Sequence, residues 1–403
     1  MVKVVMKTVT KITKEVTKEV KKTELNSIKS KSSKKKCHIR YGADFCGLGT
    51  LGIGLQIFGE DPLNTVSFES MFSCDCARFA KKFATYTQPP RRWDDDIVTR
   101  NLDELKKGLG CHSIGLYTFT APCQGLSQAG LQRGASDPRT RLFFQSILVI
   151  EKIEPKSFVS ENVWTLASHA KFKKFFDFLI TKLQAAGARH GGYKVEWRIL
   201  NSKHYVPQNR PRLYITGVRK DLVKKNTRGV PLFPVPPSEP NFKLKDVIVP
   251  LLGAKWKPAP PRAQANDYKN VMAAYKSIPT INPFLVPVVV DMKSSPAFSS
   301  HRVGECPALT KTRAAGFGYW ASTKGGPLEV KEMCMLQGFK PKHLPWAEAG
   351  LKESAIAGAL GNGQSLNLVM DLVPHVLFHS GQITYEQFEA MKVVAAKYNP
   401  CQP

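Results

Sequence analysis

No two cysteines in the chain stand at the C-x-x-C spacing, although there are nine of them. Cys74 and Cys76 are too close together and have no second pair, which argues against a zinc ribbon or finger; no metal is expected. No apolar run approaches the ~20 residues of a membrane-spanning helix, and no secretory signal is present. An odd cysteine count without such a signal is expected of free thiols in a reducing compartment. No internal repeat is evident, so solenoids and propellers are set aside. Acidic residues are scarce: 32 Asp and Glu stand against 59 Lys and Arg, for a formal charge of +27. Such an excess favours polyanions, because each lysine or arginine that meets a phosphate releases a condensed counterion. Solubility or affinity for a membrane surface would use the same charge, so composition alone puts nucleic acid modestly ahead. The hydrophobic and charged fractions, 42% and 23%, are those of a soluble globular chain.

The first 36 residues are nearly free of glycine and proline, poor in aromatics and rich in lysine. Lys3, Lys7, Lys11, Lys14, Lys18 and Lys21 recur at helical spacing beside a weak apolar stripe, and residues 1–37 read as a disordered or marginally helical basic arm. The run from Lys29 to Lys36 suits a nuclear-import signal or a phosphate-contacting arm, or is only a solvated tail. Arginine is absent before Arg40 and glutamates interrupt the arm, which disfavours an organellar transit peptide. The expected location is the nucleus in a eukaryote, and otherwise the cytoplasm or a viral setting.

From 38 to 218 strand and helix patterns alternate. Strands are expected at Ile39–Phe45, Thr65–Phe68, Ser113–Phe119, Ser157–Ser160, Val195–Leu200 and Leu213–Val218, and helices at Leu51–Phe58, Cys76–Tyr86, Leu142–Ile153 and Phe172–Ala186. This alternation predicts an α/β, doubly wound, mostly parallel sheet covered on both faces. Residues 219–305 break the pattern with Pro231, Pro234, Pro236, Pro237, Pro240, Pro258, Pro260 and Pro261, and read as a smaller irregular module. Regular patterning resumes near Glu329, with a helical stretch from Ser365 to His379, so 306–403 reads as the remainder of that module followed by a return to the first domain.

Two sets of residues carry chemistry. Asp44-Phe45-Cys46-Gly47-Leu48-Gly49 follows the first strand and opens a helix, where glycines let the backbone approach a nucleotide-like ligand. Glu69, beside Ser70, lies about 20 residues on, the distance at which an acid commonly grips ribose hydroxyls. Asp96-Ile97 offers a carboxylate for an adenine amine and an apolar side chain for its face, with Asp94 and Asp95 as competing acids. NAD, FAD and S-adenosylmethionine all use such a corner. The second set is Pro122-Cys123-Gln124, then Glu161-Asn162-Val163, then Gln208-Asn209-Arg210-Pro211-Arg212. Cys123 and Glu161 both follow apolar strands, at the carboxyl edge where open α/β sheets bind ligands. A thiolate there can add to C6 of a pyrimidine while a carboxyl group bonds N3 and the exocyclic amine, which makes C5 nucleophilic. Arg212 would hold the O2 carbonyl or a flanking phosphate, and Gln208 would orient the loop.

These residues resemble the motifs of the DNA cytosine-C5 methyltransferase family over about residues 38–380. Asp44 to Gly49 is similar to the S-adenosylmethionine glycine motif, and Pro122-Cys123-Gln124-Gly125-Leu126-Ser127 to the Pro-Cys-Gln-x-x-Ser nucleophile loop. Glu161-Asn162-Val163 matches Glu-Asn-Val, and Gln208 to Arg212 matches Gln-x-Arg-x-Arg. Pro307-Ala308-Leu309-Thr310, Leu336-Gln337-Gly338-Phe339 and Gly361-Asn362 resemble the later Pro-x-Leu-Thr, Leu-Gln-Gly-Phe and Gly-Asn elements.

The resemblance implies an S-adenosylmethionine-dependent fold with S-adenosylhomocysteine as product. Phe45, Cys46, Gly47, Leu48, Gly49, Glu69, Ser70, Asp96, Ile97, Pro122, Asn362 and Ser365 would then bind the cofactor. Cys123 would be the nucleophile, acting with Gln124, Glu161, Arg210 and Arg212, while Ser127, Gln208 and Arg210 would contact DNA. It also implies double-stranded DNA as partner, a flipped-out target base, recognition by 219–305 and activity as a monomer. The departures are Ala43-Asp44, with the acid shifted by one, Thr50, Thr120-Ala121, and Gly363-Gln364-Ser365. An RNA-directed relative would carry Asn in place of Gln208 and a Cys-Phe-Thr motif, which this chain lacks; a catalytically silent paralogue would tend to lose Cys123 or Glu161.

Overall fold

β4 (Leu116–Phe119), with most of β1 (Cys37–Asp44) and β5 (Ser157–Val163), is buried and forms the centre of the main sheet. The computed structural model describes residues 37–122 and 141–402. With β2 (Val66–Cys74), β3 (Arg92–Asp94), β6 (Tyr193–Asn201) and β8 (Pro211–Arg219) these strands make a seven-stranded sheet in the order β3-β2-β1-β4-β5-β8-β6. β1, β4 and β5 pair in parallel, as do β2 and β3, and only β8 runs antiparallel to its neighbours. Helices α1 (Thr50–Glu60), α2 (Arg78–Thr87), α3 (Leu102–Leu109), α4 (Leu142–Ile153) and α5 (Lys173–Ala185) lie between the strands. The expected doubly wound, mostly parallel sheet is present.

An aromatic ladder crosses this sheet. Phe72 of β2 meets Tyr117 of β4 at 6.0 Å between ring centroids, Tyr117 meets Phe119 at 5.5 Å, Phe119 meets Phe158 of β5 at 6.0 Å, and Phe158 meets Tyr193 of β6 at 5.2 Å. Two strands lie between ladder members, β1 and β8, and both present glycine there. A Cβ on Gly42 would sit 2.2 Å from the Phe72 ring, and one on Gly217 would sit 2.1 Å from the Phe158 ring. The rings thus spread over strands that have no side chain to push them away.

The region expected to be irregular is more ordered than its prolines suggest. It holds helix α6 (Ala265–Lys276) and strands β9 (Val288–Asp291) and β10 (His301–Val303). Its four-stranded sheet, β10-β9-β12-β13, is completed by β12 (Tyr319–Ala321) and β13 (Gly326–Pro327), beyond residue 305. Val288, Val289 and Val290 are fully buried in it. The short strand β11 (Cys306–Pro307) pairs in parallel with β7 (Gln208–Asn209), tying this part to the edge of the main sheet. Helices α7 (Val330–Leu336), α8 (Glu353–Asn362), α9 (Leu366–His379) and α10 (Tyr385–Lys397) follow. α9 is buried on all sides, as an apolar helix must be when it packs against both α1 and the sheet. Residues from His38 onward form one compact unit.

Among the described residues no helix is long and apolar enough to cross a membrane. The basic arm at 1–36, and Cys123, Gln124 and Ser127, lie outside the described residues.

Candidate active site

The chain winds from β1 outward through β2 to β3, then returns to β4 on the other side of β1. The carboxyl edge at β1 and β4 is therefore a topological switch point, where connections diverge and leave a crevice. A cavity of about 480 Å³ opens there. Its walls come from the turn after β1, the end of β2, the turn after β4, the end of β5, and the segments around Lys311 and Gly361.

Phe45, Cys46, Gly47, Leu48 and Gly49 all line it. The turn is built on left-handed backbone at Phe45 (φ 55°), Gly47 (φ 53°) and Gly49 (φ 67°), which two glycines make accessible. The Cys46 amide donates to the Cys74 carbonyl at 3.3 Å, and the Gly47 amide donates to Asp75 Oδ2 at 2.8 Å. Asp75 lines the cavity, and burial holds its carboxyl above the usual aspartate range despite donation from the Ala77 and Gly47 amides. Ser70, Pro122 and Asn362 also line the cavity.

Other expected cofactor residues, Glu69, Asp96, Ile97 and Ser365, are not among those that line the cavity. Glu69 does not end its strand: β2 continues to Cys74, and Glu69 pairs with His38 at 2.9 Å, with Arg40 at 3.2 Å, and with Arg91. The acid at the true strand end is Asp75. Asp96 accepts from the Val98 amide at 2.9 Å in a local turn, Ile97 is buried in the core, and neither lines the cavity. Asp94 is bound by Arg92 and Asp95 by Lys81, so no member of that acidic run faces the crevice. Ser365 is buried before α9 and its place in the wall is taken by Gln364. The shifted acid, Asp44, has a partner that explains it. Its carboxylate receives both terminal nitrogens of Arg100, at 2.8 and 2.6 Å, and the Tyr117 hydroxyl at 2.5 Å, with the Asp44 and Arg100 side chains fully buried. Asp44 thus fixes the end of β1 to β4.

At the other end of the cavity stands Glu161, with Arg212 Nε 3.1 Å from its Oε1. Burial raises the Glu161 carboxyl above the ordinary glutamate range, against the opposing charges of Arg212 and Arg210. Asn162 donates from Nδ2 to the Ala121 carbonyl at 2.9 Å, and Thr120 donates from Oγ1 to the Phe45 carbonyl at 2.7 Å. These bonds bolt the turn that leads into Cys123 to both β5 and the glycine turn.

Gln208 and Arg210, both expected to contact DNA and Arg210 also to act in catalysis, are buried side chains. Gln208 is fully buried, donating to the Leu336 carbonyl at 2.7 Å and accepting from the Leu309 amide at 3.0 Å. Arg210 is 1% exposed and donates to the carbonyls of Leu309 (2.6 Å), Gly363 (2.8 Å) and Gly361 (3.2 Å). Burial, with Arg212 nearby, pushes its guanidinium down to about 9. The two side chains form a brace that joins the Pro-x-Leu-Thr, Leu-Gln-Gly-Phe and Gly-Asn segments. Arg210 falls in the break between β7 and β8, which puts it among carbonyls that strand pairing leaves open.

Asp75, Arg100 and Lys311 were missed in the sequence. For Asp75 a signal existed: the acid sits between the apolar run ending at Cys74 and the start of α2.

A sequence description of C-5 cytosine-specific DNA methylases matches residues 44–373. The chain is 37% identical over 129 residues to the orphan methyltransferase M.SPRI of Bacillus phage SPR, covering 32% of this chain and 26% of that protein. It is 32% identical over 187 residues to the type II methyltransferase M.Sau96I of Staphylococcus aureus, covering 45% of this chain and 39% of that one. The matched segments thus span less than half of either relative. Among solved structures, the Entamoeba histolytica methyltransferase EhMeth superposes with a TM-score of 0.56 at 14% identity, over 85% of this chain and 98% of its own. The S. pombe Dnmt2 methyltransferase gives 0.54 at 14% identity, over 84% and 98%. These two likenesses concern the fold. The family match extends from the end of β1 into α9 and encloses every wall of the cavity bar Tyr41 and Ala43, and on that ground the chain belongs to the C-5 cytosine-specific DNA methylase family.

Proposed function

We propose that this chain transfers a methyl group from S-adenosylmethionine to C5 of cytosine in DNA, through a covalent bond between Cys123 and C6 of a flipped-out base. The observation that carries the reading is that the glycine turn with Asp75 and the Glu161–Arg212 pair with Pro122 share one cavity. The cofactor end fits its ligand chemically: a half-buried acid for a ribose diol, turn backbone that lines the cavity, and the apolar Phe45. When bound, S-adenosylmethionine supplies an electrophilic methyl group on a sulfonium.

The residues of the chain do the rest. Cys123 adds to C6 as a thiolate, and C5 takes the methyl group as the ring becomes an enamine. Glu161, whose hold on a proton is strengthened by burial, donates to N3 and absorbs the negative charge that the addition delivers to the ring. Arg212 fixes the Glu161 carboxyl and faces the O2 side of the base. Water or hydroxide then removes the C5 proton, and the thiolate leaves. Asn162 and Thr120 hold the turn at Thr120 and Ala121, just ahead of the nucleophile in the chain. The base must leave the helix, since its ring faces are covered in the stack.

The test is transfer of tritiated methyl from S-adenosylmethionine to duplex DNA by the purified protein. Cys123→Ala should reduce transfer to background while leaving binding of S-adenosylhomocysteine largely intact. Substantial turnover by that variant would overturn the nucleophile assignment.

A further inference from the structure

Three cations line the cavity among the described residues: Arg210, Arg212 and Lys311. Arg210 is committed to three backbone carbonyls, and Arg212 to Glu161 and the Pro211 carbonyl. Lys311 makes no hydrogen bond or ion pair with the described residues, and its side chain stays exposed on the cavity rim. Its backbone, by contrast, is held on several sides. The Leu309 amide and carbonyl are bound by Gln208 and Arg210, the Thr310 amide donates to the Tyr319 hydroxyl at 2.8 Å, and Gly361 packs directly against Thr310. Lys311 opens the short helix Lys311–Ala315 from this fixed platform, facing the segment from Gly358 to Gln364 across the rim. Its charge already acts on the Asp75 carboxyl within the cavity.

A ligand that brings a sulfonium, an ammonium and a carboxylate needs a cation for the last of these. The cavity has one that no group among the described residues holds. We propose that Lys311 binds the α-carboxylate of the methionyl part of S-adenosylmethionine, an inference that rests on the cofactor reading above. Charge-assisted bonds of this kind are stronger than neutral ones, and the rim position lets the lysine stem reach over the ligand while its head stays in contact with water.

The experiment compares S-adenosylhomocysteine with its decarboxylated analogue, by calorimetric titration of the full chain and of Lys311→Met and Lys311→Arg. Thermal melts confirm that all three fold alike. Lys311→Met should weaken S-adenosylhomocysteine by about tenfold, should leave the decarboxylated analogue unchanged, and should be rescued in part by Lys311→Arg. Equal affinities of the native chain and Lys311→Met for S-adenosylhomocysteine would overturn the carboxylate role while leaving the cofactor reading intact. Equal weakening of both ligands would overturn it as well, as a structural effect. Loss of DNA affinity alone would make Lys311 a phosphate contact and overturn it. If the native chain binds neither ligand, the cofactor reading itself fails.

Discussion

Single side chains decide where the chemistry can occur. The two acids on β2 and at its end make the contrast clear. Glu69 is held by His38, Arg40 and Arg91 outside the cavity, whereas Asp75 lies inside it and is fixed by the Gly47 amide. Asp75→Asn keeps an acceptor for that amide but removes the charge, and should weaken S-adenosylhomocysteine binding on the order of tenfold to a hundredfold. Glu69→Gln should leave it unchanged. Calorimetric titration of both variants checks the pair, and the reverse pattern would restore the acid that the sequence suggested. Glu69 looked right because Glu69-Ser70 interrupts an apolar run, which reads as a strand end. In fact β2 carries those polar groups on through Ser73, because His38, Arg40 and Arg91 solvate one of them and the cavity takes Ser70.

Glu161 carries a prediction with a defined sign. Its carboxyl is raised in the folded chain, so the folded state binds a proton more tightly than the unfolded one. Between the ordinary glutamate value and the raised one, stability therefore falls as pH rises, and the loss is complete above the raised value. Glu161→Gln removes that loss. The variant should melt at a higher temperature than the native chain at neutral pH, with the difference shrinking as pH falls toward the ordinary carboxylate range, and methyl transfer should be abolished. Melting curves across pH test this, and a variant less stable at neutral pH would show that the Arg212 ion pair outweighs burial.

At the scale of elements, the legible part was the order of strands and helices. α4 was placed residue for residue, since Leu142–Ile153 has a clear apolar face, and β4 and β5 stand out as buried runs. The second sheet was not legible. Its strands are short, its prolines lie in the connections, and two of its four strands come from beyond residue 305. The aromatic ladder was equally hidden, because it is a property of neighbours in the sheet rather than neighbours in sequence. Gly217→Ala tests it: the new methyl group would sit 2.1 Å from the Phe158 ring, and the ring's neighbours Phe119 and Tyr193 leave it little room to move. A loss of about 1–3 kcal/mol is expected in urea unfolding. A neutral effect would mean that the ladder can shift as a body.

For the whole molecule, the motifs read in the sequence as separate signatures prove to be parts of one mechanical assembly. Gln208 and Arg210 join three of them by their backbones, and Asn162 and Thr120 join two more. Sequence reading gave Gln208 and Arg210 to DNA or catalysis because a motif shows which residue types occur together and not which way they face. Buried as they are, their hydrogen bonds hold the cavity's far-apart walls in register. The basic excess of the chain suits a phosphate-rich partner.

The central claim is a covalent bond between one sulfur and C6 of cytosine. The most direct measurement uses duplex DNA carrying 5-fluorocytosine at a target site, incubated with the protein and S-adenosylmethionine. Fluorine at C5 cannot leave in place of the proton, so the methylated adduct cannot resolve. The account predicts a complex that survives denaturation and whose digested peptide carries the modified nucleotide on Cys123. Methylation of ordinary cytosine by a protein that forms no such complex, or an adduct mapped to another residue, would contradict it.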